Sequence, residues 1–214
     1  MQIAILLYDR LTALDAVGPY EVFSRIPEAQ VVCVGERTGP VRNDMGSLGL
    51  VVDAPLAEVQ APDIVVVPGG PGQTALMSDG PVHEWLRAVD GTSTWTTSVC
   101  TGSLVLGAAG LLRGRLATSH WLALEQLTAL GATPTSERVV FDEKYVTAAG
   151  VSSGIDLALA VCGRLGGDFL PQAVQLGIEY DPQPPYDAGS PAKAPAEVVA
   201  FLRSRSRFVL EGAE

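Results

Sequence analysis

Apolar and polar positions along this chain follow two alternating rhythms. Short runs rich in β-branched residues, "QIAILLY" (2–8), "AQVVCVGE" (29–36), "APDIVVVPGG" (61–70) and "TWTTSVC" (94–100), read as strands. The continuous run in "APDIVVVPGG", ended by Gly-Gly, suits a central parallel strand buried on both faces. A shorter strand is predicted in "SLGLVVDAP" (47–55). Between these runs the period lengthens. Leu14, Val17, Val22 and Ile26 in "TALDAVGPYEVFSRI" approach helical spacing, and "VHEWLRAVD" (82–90) reads as a surface helix with His83 in solvent.

Further on, "SHWLALEQLTALG" (119–131) predicts one helix closed by Gly131. "ERVVFDEKYVTAAG" (137–150) reads as a hairpin turning at Asp142 and Glu143. "SSGIDLALAVCGRLGG" (152–167) predicts a helix opened by the Ser153 to Asp156 capping spacing. The proline-rich stretch 179–195 reads as an extended loop, and 196–210 as a final helix. Strands alternating with helices, with no repeat or linker, predict a single domain over 1–214 built on a parallel sheet between helical layers.

Composition narrows the function. The chain of 214 residues is 47% hydrophobic and 18% charged, with a net charge of -10, which argues against nucleic acid as a partner. Two histidines and three cysteines without CxxC spacing fit neither a metal site nor a disulfide framework. No metal or organic cofactor is expected. The start "MQIAILLYDR" reads as a strand rather than a secretory signal, and no apolar run approaches the ~18 residues of a membrane span, so a cytoplasmic protein with free thiols is expected.

One cysteine stands apart. Cys33 and Cys162 sit within apolar patterns, but Cys100 falls where a strand ends and the glycine-studded "TGSLVLGAAGLL" begins. Ligands bind beyond the carboxyl ends of parallel strands, and a sharp strand-to-helix turn there presents a nucleophile. The following helix should favour a thiolate and lower the thiol pKa; alternatively Cys100 is a small buried packing residue. If the thiol attacks carbon, the backbone N–H groups of Thr101 and Gly70 are candidate donors to the charge that develops, Pro71 having none. The alternative is that Gly69 and Gly70 supply only a tight turn. Asp15 reads either as a proton-transfer acid with a raised pKa or as the far member of a Thr12–Asp15 capping box. His120 is the only histidine placed to partner Cys100.

Taken together, "LTALDAVGPYEVF", "VVVPGGPG", "SVCTGSLVLGAAGLL", "ATSHW", "GVSSGID" and "IEYDPQPPYDAGSP" resemble the ThiJ/PfpI superfamily over nearly the whole chain. Within it they resemble the isonitrile hydratases of the cyclohexyl-isocyanide hydratase type. The resemblance implies a flavodoxin-like α/β three-layer sandwich, as in class I glutamine amidotransferases, with a mainly parallel central sheet. It also implies a homodimer acting on a small-molecule isonitrile. It places the nucleophile at Cys100 and assigns essential roles to Asp15 and Thr101, with Gly70, His120 and Ser152 as candidate substrate-binding or oxyanion-binding residues. Walls for the substrate are expected from "VSSG" and from the loop between Tyr180 and Tyr186. Thr101, where protease-like members carry His, speaks against a peptidase. Asp15, where redox members and glyoxalases typically carry Glu, favours the hydratase over its rivals, a glyoxalase or deglycase acting on 2-oxoaldehydes and a thiol redox sensor or chaperone.

Overall fold

The computed structural model describes residues 1–206. In chain order the strands are β1 (Gln2–Leu6), β2 (Gln30–Gly35), β3 (Gly39–Arg42), β4 (Gly49–Val52), β5 (Ala54–Pro55), β6 (Ile64–Val67), β7 (Trp95–Val99), β8 (Leu116–Ala117), β9 (Thr133–Pro134), β10 (Val139–Asp142) and β11 (Tyr145–Ala148). The helices are α1 (Ala13–Phe23), α2 (Pro81–Asp90), α3 (Gly102–Ala108), α4 (Gln126–Ala129), α5 (Ser153–Gly166), α6 (Phe169–Gly177) and α7 (Ala196–Ser204). The tail of the predicted last helix, 207–210, lies outside the described residues.

Seven strands form one sheet in the order β10-β11-β7-β6-β1-β2-β5, parallel except for the β10–β11 hairpin. This is the flavodoxin-like α/β architecture. All four residues of β6 are fully buried, as are Ile3, Ala4, Ile5 and Leu6 of β1, because helices cover both faces of the sheet. Helix α1 packs on α5, while α2 and α3 pack together. The chain runs from β1 outward to β2 and then returns to β6 on the other side of β1. The direction of winding therefore reverses between β1 and β6, the position where open parallel sheets form a crevice at their carboxyl edge.

Several local expectations are corrected. The "SLGLVVDAP" strand is two pieces: β4 pairs with β3 in a separate hairpin and β5 joins the sheet edge beside β2. Asp53 divides them, its carboxylate accepting the Cys33 N–H. The 119–131 helix shrinks to α4. Its leading residues form tight turns in which Ala123, Gln126 and Leu127 donate to carbonyls three residues back, and His120 Nδ1 takes the Leu122 N–H. His83 is buried, not solvated, its Nε2 2.8 Å from the Leu76 carbonyl beside the stripe of Val82, Trp85, Leu86 and Val89. At α5 the expected capping box is absent. Ser153 is already helical and its hydroxyl bonds the Ala149 carbonyl, while Asp156 turns away to Arg138 and Tyr180.

Candidate active site

Three chain segments meet at the carboxyl ends of β1, β6 and β7. Cys100 forms the corner after β7 with φ of 58°, a left-handed conformation that non-glycine residues adopt at a cost. Two carbonyls, Ala148 and Ala149, accept its N–H at 3.0 Å, and its own carbonyl accepts from Ser103 and Ser119. The elbow is thus held on both sides by neighbouring segments. Gly69, after β6, lies directly against it. A Cβ there would come within 2.4 Å of the Thr101 nitrogen and 2.9 Å of the Cys100 Cβ, so only glycine permits this approach.

Asp15, in the first turn of α1, is fully buried. It is no cap: no side-chain capping bond forms at Thr12, and Asp15 Oδ2 instead accepts the Gly69 N–H at 2.9 Å. Oδ1 has no conventional hydrogen-bond partner among the described residues, and the Cys100 thiol is the polar group beside it. Burial raises the Asp15 carboxyl to about 8, against the opposing help of the Gly69 N–H and the thiol; Asp44 adds a smaller push upward. The same burial, with Asp15 alongside, pushes the Cys100 thiol up. This overturns the expectation of a thiol pKa lowered by the helix: the Thr101 N–H and hydroxyl do favour the thiolate, but desolvation outweighs them.

Thr101 is fully buried, and its Oγ1 accepts the Gly70 N–H at 2.9 Å. Both glycine N–H groups at this corner are therefore engaged, Gly69 by Asp15 and Gly70 by Thr101. With its oxygen so occupied, the Thr101 hydroxyl has its own proton to direct at the Gly70 carbonyl, 3.4 Å away, or at the sulfur.

His120 does reach the site. A Cβ on Gly150 would fall 3.1 Å from the Cys100 sulfur and 2.5 Å from His120 Cδ2, so the ring and the thiol flank one backbone position. Because His120 Nδ1 accepts the Leu122 N–H, the neutral ring carries its proton on Nε2, and burial lowers its pKa to about 4. It is a donor and a poor base at neutral pH. Ser152, by contrast, is exposed, and its hydroxyl accepts from Arg138. Nothing in the sequence marks Gly150 or Tyr8 as functional. Gly150 was visible only as the first letter of "GVSSGID", and Tyr8 only as a polar end to an apolar strand. Tyr8 is buried, and its hydroxyl donates to the Pro68 carbonyl at 2.8 Å.

Two clefts of about 310 and 320 Å³ lie near the ends of β1 and β2, and Cys100 lines neither. The thiol is fully buried, and the partly exposed His120 and Gly150 lie beside it. Among the described residues no three His, Cys, Asp or Glu side chains gather as a metal site, and no helix is long and apolar enough to cross a membrane.

A flavodoxin-like sheet with a cysteine at a strand-helix elbow and a buried acid beside it defines a class, and the sequence agrees. Residues 1–163 match the model of the DJ-1/PfpI family, and the chain belongs to it. Within that family it is 42% identical to an isonitrile hydratase of Pseudomonas putida over 206 residues, covering 96% of this chain and 90% of that protein. A glutathione-independent glyoxalase of Caenorhabditis elegans is 29% identical over 64% of this chain and 74% of its own length. Among solved structures, a ThiJ/PfpI family protein from Pseudomonas syringae superposes with a TM-score of 0.93 at 37% identity, covering 99% of this chain and 90% of that one.

Proposed function

We propose that this protein hydrates an isonitrile to the N-substituted formamide, with Cys100 as nucleophile and Asp15 as acid. One observation carries the reading: a buried carboxyl, raised to about 8, lies against a buried thiol. The similarity to the Pseudomonas putida isonitrile hydratase supports the substrate class.

The terminal carbon of an isonitrile, R–N≡C, is basic and becomes electrophilic once protonated. Asp15 gives its proton to that carbon and the Cys100 sulfur bonds to the same atom. The thiol proton passes to the Asp15 carboxylate, leaving the thioimidate R–N=CH–S–Cys100. Because burial opposes charge on both side chains, proton transfer and S–C bond formation proceed together rather than through a free thiolate. The Thr101 N–H and hydroxyl stabilise charge that develops on sulfur. Water then adds across the C=N bond, its oxygen to carbon and a proton to nitrogen. Breaking the C–S bond returns a proton to Cys100 and releases R–NH–CHO. Substrate enters past His120 and Gly150, which flank the thiol. A cytoplasmic homodimer is part of the same proposal, supported by the family resemblance and by Phe169 and Leu176 of α6, which are 86% and 79% exposed in the single chain.

Incubating the purified protein with an alkyl isonitrile, and separately with a 2-oxoaldehyde, tests the reading. Formamide should accumulate, with a Cys100 adduct of the isonitrile's mass under single-turnover conditions. Turnover of the 2-oxoaldehyde alone would overturn it.

A further inference from the structure

The Pro68–Gly69 peptide group is held at both ends. Its carbonyl accepts the Tyr8 hydroxyl at 2.8 Å, and its N–H donates to Asp15 Oδ2 at 2.9 Å. These two atoms belong to one rigid plane, so whatever fixes the carbonyl also fixes the direction of the N–H. Both Tyr8 and Asp15 lie in the stretch that follows β1, while the peptide ends β6. The stretch after β1 therefore binds both sides of the same amide.

The next peptide, Gly69–Gly70, has its own anchors: its carbonyl accepts the Thr12 N–H at 2.8 Å and its N–H donates to Thr101 Oγ1 at 2.9 Å. Gly69 must stay side-chain-free to pass the elbow, so no Cβ packs it in place, and Gly70 beyond it has φ of 129°. Tyr8 itself is securely set. Its ring is buried, and burial together with the nearby Asp15 and Cys100 keeps the phenol protonated and hence a donor.

We propose that Tyr8 is a positioning residue for the acid of the reaction: its phenol fixes the Pro68–Gly69 peptide plane, and through that plane the Gly69 N–H holds Asp15 against Cys100. Donation to a carbonyl also polarises the amide and strengthens its N–H as a donor. Tyr8 thus favours the ionised form of Asp15 through a relay, with no contact to the substrate. The other titratable groups facing Asp15 are Cys100 from the elbow and Asp44 beyond β3, which receives the Thr12 hydroxyl.

The inference rests on Asp15 being the acid, so the test reads Asp15 directly as well as through turnover. Carboxyl ¹³C titration by NMR would follow Asp15 in the native protein and in Tyr8→Phe, beside pH profiles of isonitrile hydration and thermal melts. Loss of the phenol should raise the Asp15 pKa by about half a unit, the scale of weakening one hydrogen bond to a carboxylate. The alkaline limb of the hydration profile should move up by the same amount, with kcat reduced and KM little changed. An unchanged Asp15 titration would overturn the proposal, whatever happens to the melt. A shifted titration in a protein that hydrates no isonitrile would uphold the relay and sink the functional reading instead. Should Tyr8→Phe fail to fold, 3-fluorotyrosine at position 8, a stronger donor, should lower the Asp15 pKa; no shift there would equally overturn it.

Discussion

Asp15 and Cys100 face each other with both side chains wholly removed from solvent, although 85 positions separate them in the sequence. Neither bears charge comfortably there, and one proton moving between them is the least costly way to make sulfur nucleophilic. A cap needs only an acceptor, whereas an acid needs a proton to give. Asp15→Asn should therefore keep the Gly69 contact and lose ~10²–10⁴-fold in formamide production, the range of general acid–base contributions. Asp15→Glu keeps the proton one methylene out of place and should recover part of the rate. Wild-type turnover in Asp15→Asn would remove the acid from the mechanism.

Stability should respond to the same carboxyl. Asp15 binds its proton up to about pH 8 in the folded chain but only to about 4 when unfolded. Between those values the native state holds more protons than the unfolded state, so stability contributed at this position falls as pH rises. The scale is at most about 1.4 kcal/mol per pH unit crossed. Asp15→Asn has no such proton to lose. Its melting temperature, measured against wild type from pH 5 to 8, should gain steadily on the wild-type value. Parallel curves would show that Asp15 is not held neutral.

The three cysteines should separate by assay. Cys100→Ala should abolish hydration and the covalent adduct. Cys162→Ala, a buried thiol on α5, should cost about 1 kcal/mol and leave turnover intact. Cys33→Ala, half-buried in β2, should do less still. The readouts are formamide production and denaturant midpoints for each variant.

Gly150→Ala tests the route to the sulfur. The added methyl would stand 2.5 Å from His120 Cδ2 and 3.1 Å from Sγ, so the ring must give way. A displacement of about 1 Å at the reacting atoms lowers kcat/KM by ~10²-fold. Unaltered kcat/KM for a bulky isonitrile would show that substrate takes another path.

The oligomer is open to a direct check. Sedimentation at micromolar concentration should give twice the chain mass of 22.4 kDa, and charged substitutions at Phe169 and Leu176 should lower it if α6 lies in the contact. A single-chain mass for the unaltered protein would contradict the dimer.

Much of this architecture could be read from the chain because burial on both faces leaves an unbroken signature. Ile64–Val67 could hardly be anything but a central strand, and Cys100 betrayed its corner by breaking the apolar pattern just before glycine. The failures share another cause, interactions between distant segments. Thr12–Asp15 has capping spacing, yet Asp15 chooses an N–H 54 positions away. Ser153–Asp156 has the same spacing, and Asp156 chooses Arg138 and Tyr180. His83 sits one position from an apolar stripe, and only the fold decides that it is covered. The direction of the thiol pKa is hidden for the same reason: the helix start is visible in the sequence, the depth of burial is not. β3 leaves no signal because "GPVR" carries neither alternation nor a run.

The elbow also keeps time for the folding chain. Its parts arrive from the ends of β1, β6 and β7, three parallel strands joined only by long crossovers, so no nascent fragment shorter than about half the protein can assemble them. Until β7 docks against β6, the Cys100 thiol has no burial, no Asp15 and no Gly69 beside it. During refolding, its protection from an alkylating reagent should appear in one late step together with activity, making this single sulfur a built-in reporter of when the molecule is complete.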